Sequence, residues 1–384
     1  MSGRNPIRVA MVIDTVGPWS VGGRERRYEE LLRRLPTLGL DVTVYTMHWW
    51  SERPGDQDNL RFRAITPRLR LYKKDRRSIV QGLVFALGTF QLIARRFDVI
   101  QADHMPYLQL LPLRVIAWLH RVHLIVDWHE YWGPSYWRTY MGRAGSVGAI
   151  LEAASLRLPD GIVAVTDELR EKLIAAGASP SRVKVIPNAV DRQGIEGVAP
   201  DSAAPDLLFI GRLVPHKRGD VAIRAVAALA VQGVATSLGL IGDGPERTAL
   251  ADLAVTLDVE SRVRFYGSFE AQRDVWSLLK GAHVLIFPSE REGFGLVVAE
   301  SLAAGTPVVC IKGPDTEAYQ LVADKVTGSV ISGPDPLAIA QAARSWLARR
   351  ADRRQIAHEF WSAHADLDWD TSATHYANLL RGES

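Results

Sequence analysis

The chain has 384 residues, 46 Lys and Arg against 43 Asp and Glu, 47% hydrophobic residues and one cysteine. At roughly 100–200 residues per domain this length predicts two domains, and a composition near the globular average excludes a disordered or fibrous chain. Cys310 has no intrachain disulfide partner and reads as a buried small apolar side chain, and no Cys/His ladder of zinc spacing occurs. No apolar run reaches the ~18–20 residues of a membrane span, and the N-terminus runs straight into a strand-like pattern, so the expected location is the cytoplasm. The net charge of +3 is uneven: residues 1–190 carry 27 basic and 18 acidic side chains (+9), residues 191–384 carry 19 and 25 (−6). Halves of opposite sign predict different partners.

Strand-like runs alternate with longer helical patterns from end to end, the signature of βαβ units around parallel sheets. The first strand, 7–15, leads into DTVGPWSVGGRERRYEELLRRL, where Gly22 and Gly23 precede a helix over 24–35 with apolar residues at Tyr28, Leu31, Leu32 and Leu35. The two glycines form either an ordinary strand-to-helix turn or a place where backbone N–H groups meet an anion such as diphosphate at a positive helix end. A strand over 41–46 follows. Residues 61–77 then hold Arg61, Arg63, Arg68, Arg70, Lys73, Lys74, Arg76 and Arg77 against Asp75, and lead into the apolar 79–94 within a helical stretch 78–96. That pattern is either a solvated loop before a buried helix or a surface for anionic lipid or an anionic acceptor.

Strands over 97–102 and 123–127 come next. The second ends in VDWHEYWGPSYWRTY, which crowds His129 and Glu130 among Trp128, Tyr131, Trp132, Tyr136, Trp137 and Tyr140. Such aromatic faces suit sugar rings or a lipid tail, and His129 is either structural or placed to move a proton or hold a hydroxyl. Strands 161–165 and 183–187 with a helix over 167–176 complete the half. Residues 191–206, DRQGIEGVAPDSAAPD, lack either periodicity and read as a linker. Two doubly wound domains on one linker predict a cleft at the carboxyl ends of two sheets, where open α/β sheets bind ligands.

The second half has predicted strands 207–210, 237–241, 263–266, 283–287, 307–311 and 327–331. After the first of them come Gly211, Arg212 and, five residues on, Lys217; two cations in one loop at a strand end can neutralise a phosphate pair, Arg as a fork and Lys as a point charge. Gly242 and Gly244 follow the next strand, half of a GxGxxG fingerprint with Arg247 in the third glycine's place, so the loop either meets a nucleotide or only reverses the chain. The segment HVLIFPSEREGFGLVVAESLAAGTPVV carries Glu290, Glu292 and Glu300. Glu292 in the loop and Glu300 a turn inside the helix can hold two hydroxyl-bearing parts of one ligand, with free N–H groups near Phe294, Gly295 and Leu296; Glu290 reads as solvated. Asp366, Asp368 and Asp370 read as helix-capping residues, not as a metal site.

Through GGRERR, DWHEYWG, VIPNAVD, GRLVPHKRGD, IGDGPE, VRFYGSF, PSEREGFGLVVAESLAAGTPVV and DLDWDTSATHYANLL, the chain resembles the retaining family 4 glycosyltransferases of the GT-B fold over nearly its whole length. It has Ala189 where a glycine is common, and its residues 49–77 match no acceptor pattern. The resemblance implies an α/β fold of two Rossmann-like domains: 1–190, to which a last helix within 366–384 crosses back, the linker 191–206, and a donor-binding domain 207–365. It implies that Arg212 and Lys217 grip a donor diphosphate, Glu300 the ribose and Glu292 the donor sugar with Phe294, Gly295 and Leu296. It further implies that His129 faces the transferred sugar, that Gly22 and Gly23 lie near phosphate and acceptor, and that Phe265, Tyr266 and Gly267 lie where the base stacks.

The expected activity is transfer of a sugar, with retention, from a nucleotide-diphosphate sugar such as UDP- or GDP-sugar to an acceptor hydroxyl, without an obligatory metal or other cofactor. The acceptor is a glycan, a lipid-linked or a small molecule, anionic or membrane-bound given the basic first half; peripheral contact with the inner face of the membrane through 61–77 goes with it, and no nucleic acid. A GT-B phosphorylase, a nucleotide-sugar epimerase and a non-catalytic nucleotide-sugar-binding protein are the alternatives.

Overall fold

A computed structural model describes residues 6–20, 22–51, 59–73, 76–349 and 352–383. The chain divides into two compact units, Met1–Asn188 with Trp369–Ser384, and Ala189–Asp368.

In the first unit the strands are β1 (Ile7–Val12), β2 (Leu40–Met47), β3 (Leu60–Thr66), a small antiparallel hairpin of β4 (Tyr72–Lys73) and β5 (Arg76–Arg77), β6 (Val99–Asp103), β7 (His123–Trp128), β8 (Gly161–Ala164) and β9 (Val183–Val185). Its helices are α1 (Gly23–Arg34), α2 (Ile79–Gly88), α3 (Leu110–His120), α4 (Gly133–Met141), α5 (Gly145–Ser155) and α6 (Asp167–Ala175), with a 3-10 turn over Thr89–Ala94. The described strands other than β4 and β5 form one parallel sheet in the order β3-β2-β1-β6-β7-β8-β9. β6 is buried along its whole length, as expected of a parallel strand covered on both faces. β3 was not evident from the sequence: in LRFRAIT the arginines belong to a half-exposed edge strand, a common way of blunting an edge, and Arg61 pairs with Asp41. The apolar stretch after it is not a buried helix either, because α2 buries Gln81, Gly82, Phe85 and Ala86 and leaves its other face outside. Lys74 and Asp75 lie outside the described residues.

The second unit contains α7 (Arg192–Glu196), β10 (Leu207–Ile210), α8 (Gly219–Val231), β11 (Leu238–Ile241), α9 (Arg247–Thr256), β12 (Val263–Gly267), α10 (Gln272–Gly281), β13 (Val284–Phe287), β14 (Arg291–Glu292), α11 (Leu296–Ala303), β15 (Val308–Lys312), β16 (Asp315–Thr316), β17 (Gly328–Ser332), α12 (Pro336–Arg349) and α13 (Arg353–Ala363). Its parallel sheet runs β12-β11-β10-β13-β15-β17, and β14 pairs with β16 beside it. β10 and β13 contribute eight apolar side chains, all buried; each is worth roughly 1.5–3 kcal/mol. Cys310 is buried on β15, and burial pushes its thiol up to about 12.

Residues 191–206 are not a free tether. Asp191 caps α7, Lys280 donates to the carbonyls of Ile195 (2.6 Å) and Val198 (2.7 Å), and Ser277 donates to that of Ala199 (2.8 Å). Side chains of α10 bind the segment's backbone, so it is held in place without an apolar face of its own. A last helix, α14 (Trp369–Arg381), belongs to the first unit. Tyr376 donates to Asp127 at 2.6 Å, Ser372 to the Pro187 carbonyl, and Asp370, in the first turn, pairs with Arg34.

Candidate functional site

In both sheets the strand order reverses once, between β1 and β6 and between β10 and β13, and ligands of open α/β sheets sit outside the carboxyl ends of the strands at such a switch point. The residues singled out by sequence follow these four strands or their neighbours.

In the second unit, the loop after β10 carries Gly211, the exposed Arg212 and a 3-10 turn Pro215–Lys217. Lys217 forms an ion pair with Glu292 of the loop after β13, and its ammonium lies 5.7 Å from the centre of the Phe287 ring. Two further links join these loops: Glu290 N–H donates to the His216 carbonyl at 2.9 Å, and Arg218 bonds Glu290 at 2.7 Å and Asp220 at 3.0 Å. The hydrogen bond from Arg218 to Asp220 raises the guanidinium well above its usual range. Glu290 is exposed, as expected, but it also fastens the site, and nothing in the sequence pattern singled out Arg218. α11 opens at Gly295, whose φ of 84° is left-handed; a Cβ there would lie 2.4 Å from that of Ala318, so both backbone and packing require glycine. Glu300, one turn inside, is 6% exposed, and its Oε1 accepts from Trp276 and Gln272, each at 3.0 Å. Its carboxylate is oriented before any ligand arrives.

Two glycine assignments acquire a structural reason. A Cβ on Gly242 would sit 2.0 Å from the Gly211 carbonyl oxygen, and one on Gly244 2.3 Å from that of Leu213. Both glycines let the loop after β11 lie against the loop that carries Arg212, so the chain's own backbone accounts for them. Phe265 and Tyr266 are neighbours on β12 and point to opposite faces. Phe265 lies under Arg247, Tyr266 under Arg264 and beside Gly239, so the two rings do not form one stacking surface; Gly267 N–H and carbonyl lie where β12 meets Gly242, whose N–H donates to Gly267.

In the first unit, Asp14 follows β1, Asp103 ends β6, and His129 follows β7. Arg24, in the first turn of α1, reaches Asp103 (3.5 Å), Asp14 (3.3 Å) and Glu25 (3.0 Å), and Thr15 donates to Glu25 at 2.6 Å. Arg77 and Gln81 both donate to Asp14 at 3.0 Å. Gly22 caps α1 in extended backbone, and a Cβ on it would meet Glu25 Oε2 at 2.5 Å. The mouth of this helix is therefore faced by the Glu25 carboxylate, which Arg24 pairs.

Burial works against the charge on each group of this cluster, yet the three carboxylates raise Arg24 further, and Arg24 in turn holds Glu25 below the usual carboxylate range. Burial also pushes Asp103 upward, but Arg24, the His104 hydrogen bond and the two imidazoles outweigh it and keep it far below that range. Asp103 was missed in the sequence, although VIQAD and HLIVDW place Asp103 and Asp127 in register.

His129 Nε2 lies 3.6 Å from Asp103 Oδ2, and neither atom has a hydrogen-bond partner; the same is true of His104 Nε2. His104 Nδ1 faces the Asp127 carbonyl and Asp103 Oδ1, both acceptors at 3.1 Å, so Nδ1 carries a proton. Asp103 Oδ2 has the ion pair with Arg24, but His129 Nε2 and His104 Nε2 are buried without a hydrogen-bond partner and call for a ligand, and hydroxyl groups, which both donate and accept, match them. Burial drives the His129 imidazole well below its ordinary value of 6.5, against the pull of Asp103, which makes it a neutral hydrogen-bonding group at pH 7.

A pH series tests that state. The His129 contribution to stability is full above about pH 6.5 and declines below it, because the unfolded imidazole then binds a proton that the folded one refuses. Between about pH 6 and about pH 8, kcat/KM is expected to show no His129 ionisation; a limb near 6.5 that disappears in His129→Asn would show a charged imidazole instead.

The aromatic residues after His129 are mostly spent on one another. Trp132 packs edge-on against Tyr136 and Tyr140, each at 4.9 Å, and lies 4.8 Å from Trp137. Buried Glu152 of α5 accepts from Tyr107 (2.6 Å), Trp132 N–H, Gly133 N–H and Trp137 Nε1 (2.9 Å each). Glu152 fixes the loop that presents His129 and Glu130.

Two family descriptions match the chain: "Glycosyltransferase Family 4" over residues 21–193 and "Glycosyl transferases group 1" over residues 195–359. The D-inositol 3-phosphate glycosyltransferase of Streptosporangium roseum is 27% identical over 96% of this chain and 90% of its own length. That of Kineococcus radiotolerans is 30% identical over 76% and 73%. Among solved structures, sucrose-phosphate synthase from Thermosynechococcus elongatus superposes with a TM-score of 0.77 at 19% identity, covering 98% of each chain. Anabaena HepE in complex with UDP and glucose gives 0.74 at 20% identity, covering 98% of this chain and 99% of that one. With two Rossmann-like α/β units and these matches over both, the protein is a GT-B enzyme that belongs to the family 4 glycosyltransferases.

Proposed function

We propose that the protein transfers a sugar, with retention, from a nucleotide-diphosphate sugar to an acceptor hydroxyl, and that the second unit holds the donor. The observation that carries this reading is the Lys217–Glu292 pair in front of α11, with Glu300 already oriented by Trp276 and Gln272. Arg212 and Lys217 take the diphosphate, Glu300 the ribose hydroxyls, and Glu292 with the backbone at Phe294, Gly295 and Leu296 the donor sugar. UDP is the first nucleotide to try, since solved HepE holds it.

Departure of the diphosphate builds negative charge, which fixed cations stabilise more in the transition state than in the ground state. Arg212 and Lys217 supply that charge without an obligatory metal. The acceptor oxygen bonds to the anomeric carbon as the carbon–phosphate oxygen bond breaks; the electron pair goes to the leaving phosphate, which takes the acceptor's proton. Same-face attack gives retention. Glu292 is a poor rival nucleophile because Lys217 already engages its carboxylate.

In the first unit, His129 and Asp103 bind hydroxyls of the substrates. The curated relatives are named for D-inositol 3-phosphate, which makes a small phosphorylated acceptor the first to test; an anionic lipid-linked acceptor is the second, given the +9 of residues 1–190. Thermal-shift titration with UDP, GDP, ADP and dTDP and their sugars is expected to show stabilisation by one base series, with the gain from the free diphosphate reduced in Lys217→Ala. Nucleotide release should then appear with that donor only when acceptor is added. Stabilisation by none of them overturns the donor site; release that needs free phosphate, or donor isomerisation without acceptor, identifies a phosphorylase or an epimerase.

A further inference from the structure

The opposite faces of α2 and α3 differ sharply. On the exposed side lie Ile79, Val80, Leu83 and Leu87 of α2, continued by Phe90 and Ile93 of the 3-10 turn, all between 46% and 68% exposed. Spacing of four or three residues keeps Ile79, Leu83, Leu87, Phe90 and Ile93 on one side. On α3 the exposed set is Leu111, Val115, Trp118 and Leu119, with Trp118 at 69%, while Leu110, Leu113, Ile116 and Ala117 face the sheet. The two helices pack side by side, and His120 Nε2 meets the Ile93 carbonyl at 3.1 Å, so both exposed faces belong to one surface. A soluble protein rarely leaves so many large apolar side chains together without a partner.

The two chain segments that carry this surface are basic. From Arg76 to Phe97 and from His104 to Val126 the chain holds Arg76, Arg77, Arg95, Arg96, Arg114 and Arg121 and no Asp or Glu. Arg77 and Arg114 are engaged with Asp14 and Asp160. Arg95 and Arg96, directly after the 3-10 turn, and Arg121, directly after α3, are exposed at the ends of the apolar face.

We infer that the outer face of α2, the 3-10 turn and α3 docks on an anionic lipid bilayer, with apolar side chains entering the acyl boundary and the arginines meeting the head groups. This goes beyond the transfer reaction and does not depend on the donor or acceptor assigned above. Helices lying in the membrane plane combine an apolar face with basic flanks, and tryptophan favours the head-group level. A second copy of the chain is the weaker occupant, because a two-fold contact through this face would set the same arginines against themselves. The expectation from sequence placed membrane contact on 61–77; in the structure Arg61 is paired with Asp41 and Arg68 stacks on Trp49, and the apolar surface lies on the helices that follow.

Co-sedimentation with two kinds of vesicle tests it: phosphatidylcholine alone, and phosphatidylcholine with an equal part of phosphatidylglycerol. The full-length protein is expected to bind the anionic vesicles at least about tenfold better, and binding should weaken as salt shortens the Debye length. Leu83→Glu with Trp118→Ser should lower that binding by about tenfold or more, and Arg95→Ala with Arg96→Ala should lower it and flatten its salt dependence. These side chains are exposed, so thermal midpoints should be unchanged. Equal binding to both vesicles, no binding, or variants that bind like wild type overturn the inference. So does a dimer that Leu83→Glu converts to a monomer without any vesicle binding, which would make the face a self-interface.

Discussion

Lys217→Ala is expected to lower kcat by about 10²–10³-fold, the usual cost of removing one contact to a charge that develops in the transition state. The ammonium is held in place from two sides, by the Glu292 carboxylate and over the Phe287 ring, before any donor binds. Its side chain is 18% exposed and that of Glu292 22%, so water reaches the pair; loss of the pair should cost no more than about 1 kcal/mol of stability. Initial rates with saturating donor check the prediction: an equal fall in kcat and kcat/KM marks a contact made in the transition state. A raised KM at unchanged kcat would restrict Lys217 to ground-state binding, and no change in either would remove it from the site. Lys217→Arg should restore only part of the activity, since a planar fork does not replace a point charge at the same position.

Arg27→Met is expected to have the largest effect on stability. Arg27 and Asp127 are both fully buried, Nε to Oδ2 at 3.3 Å, and the guanidinium also donates to the Pro187 carbonyl and Asn188 and lies over the Tyr376 ring. Removing one partner of such a pair leaves an uncompensated charge and costs about 3–5 kcal/mol. For a unit of this size that is a fall of roughly 10 °C in thermal midpoint. Burial already pushes the Asp127 carboxyl upward, with Arg27 and Tyr376 pulling it down. Without Arg27 the folded carboxyl rises further, so the folded variant holds a proton that the unfolded chain releases, and its deficit should grow as pH rises from about 5 to about 8. Asp127→Asn in the same chain should recover part of the loss. A deficit independent of pH, or a midpoint within a degree or two of wild type, would show that this network does not anchor α14.

Much of the proposed donor side was legible in the sequence because its residues are local. Gly211, Arg212 and Lys217 follow one strand, Glu292 and Glu300 flank one helix start, and Gly295 is required by a left-handed backbone at that start. The first unit was less legible. Asp14, Arg24, Asp103, His104 and His129 come from four separate segments, and no spacing along the chain announces that they meet. The edge strand β3 was hidden for a different reason: its arginines read as loop because an edge strand needs no second apolar face.

By itself the sequence determined two α/β units of alternating strands and helices, the family, and the order of the motifs proposed to hold the donor, since periodicity and short-range spacing are written directly in the chain. Only the tertiary structure decided what each residue faces. It turned Phe265 and Tyr266 to opposite sides of one strand, spent Gly242 and Gly244 on backbone packing, and set Glu25 at the mouth of α1. It also left one face of α2 and α3 uncovered. An apolar run has the same composition whether a sheet covers both its sides or one, and the difference lies in what the rest of the chain places against it.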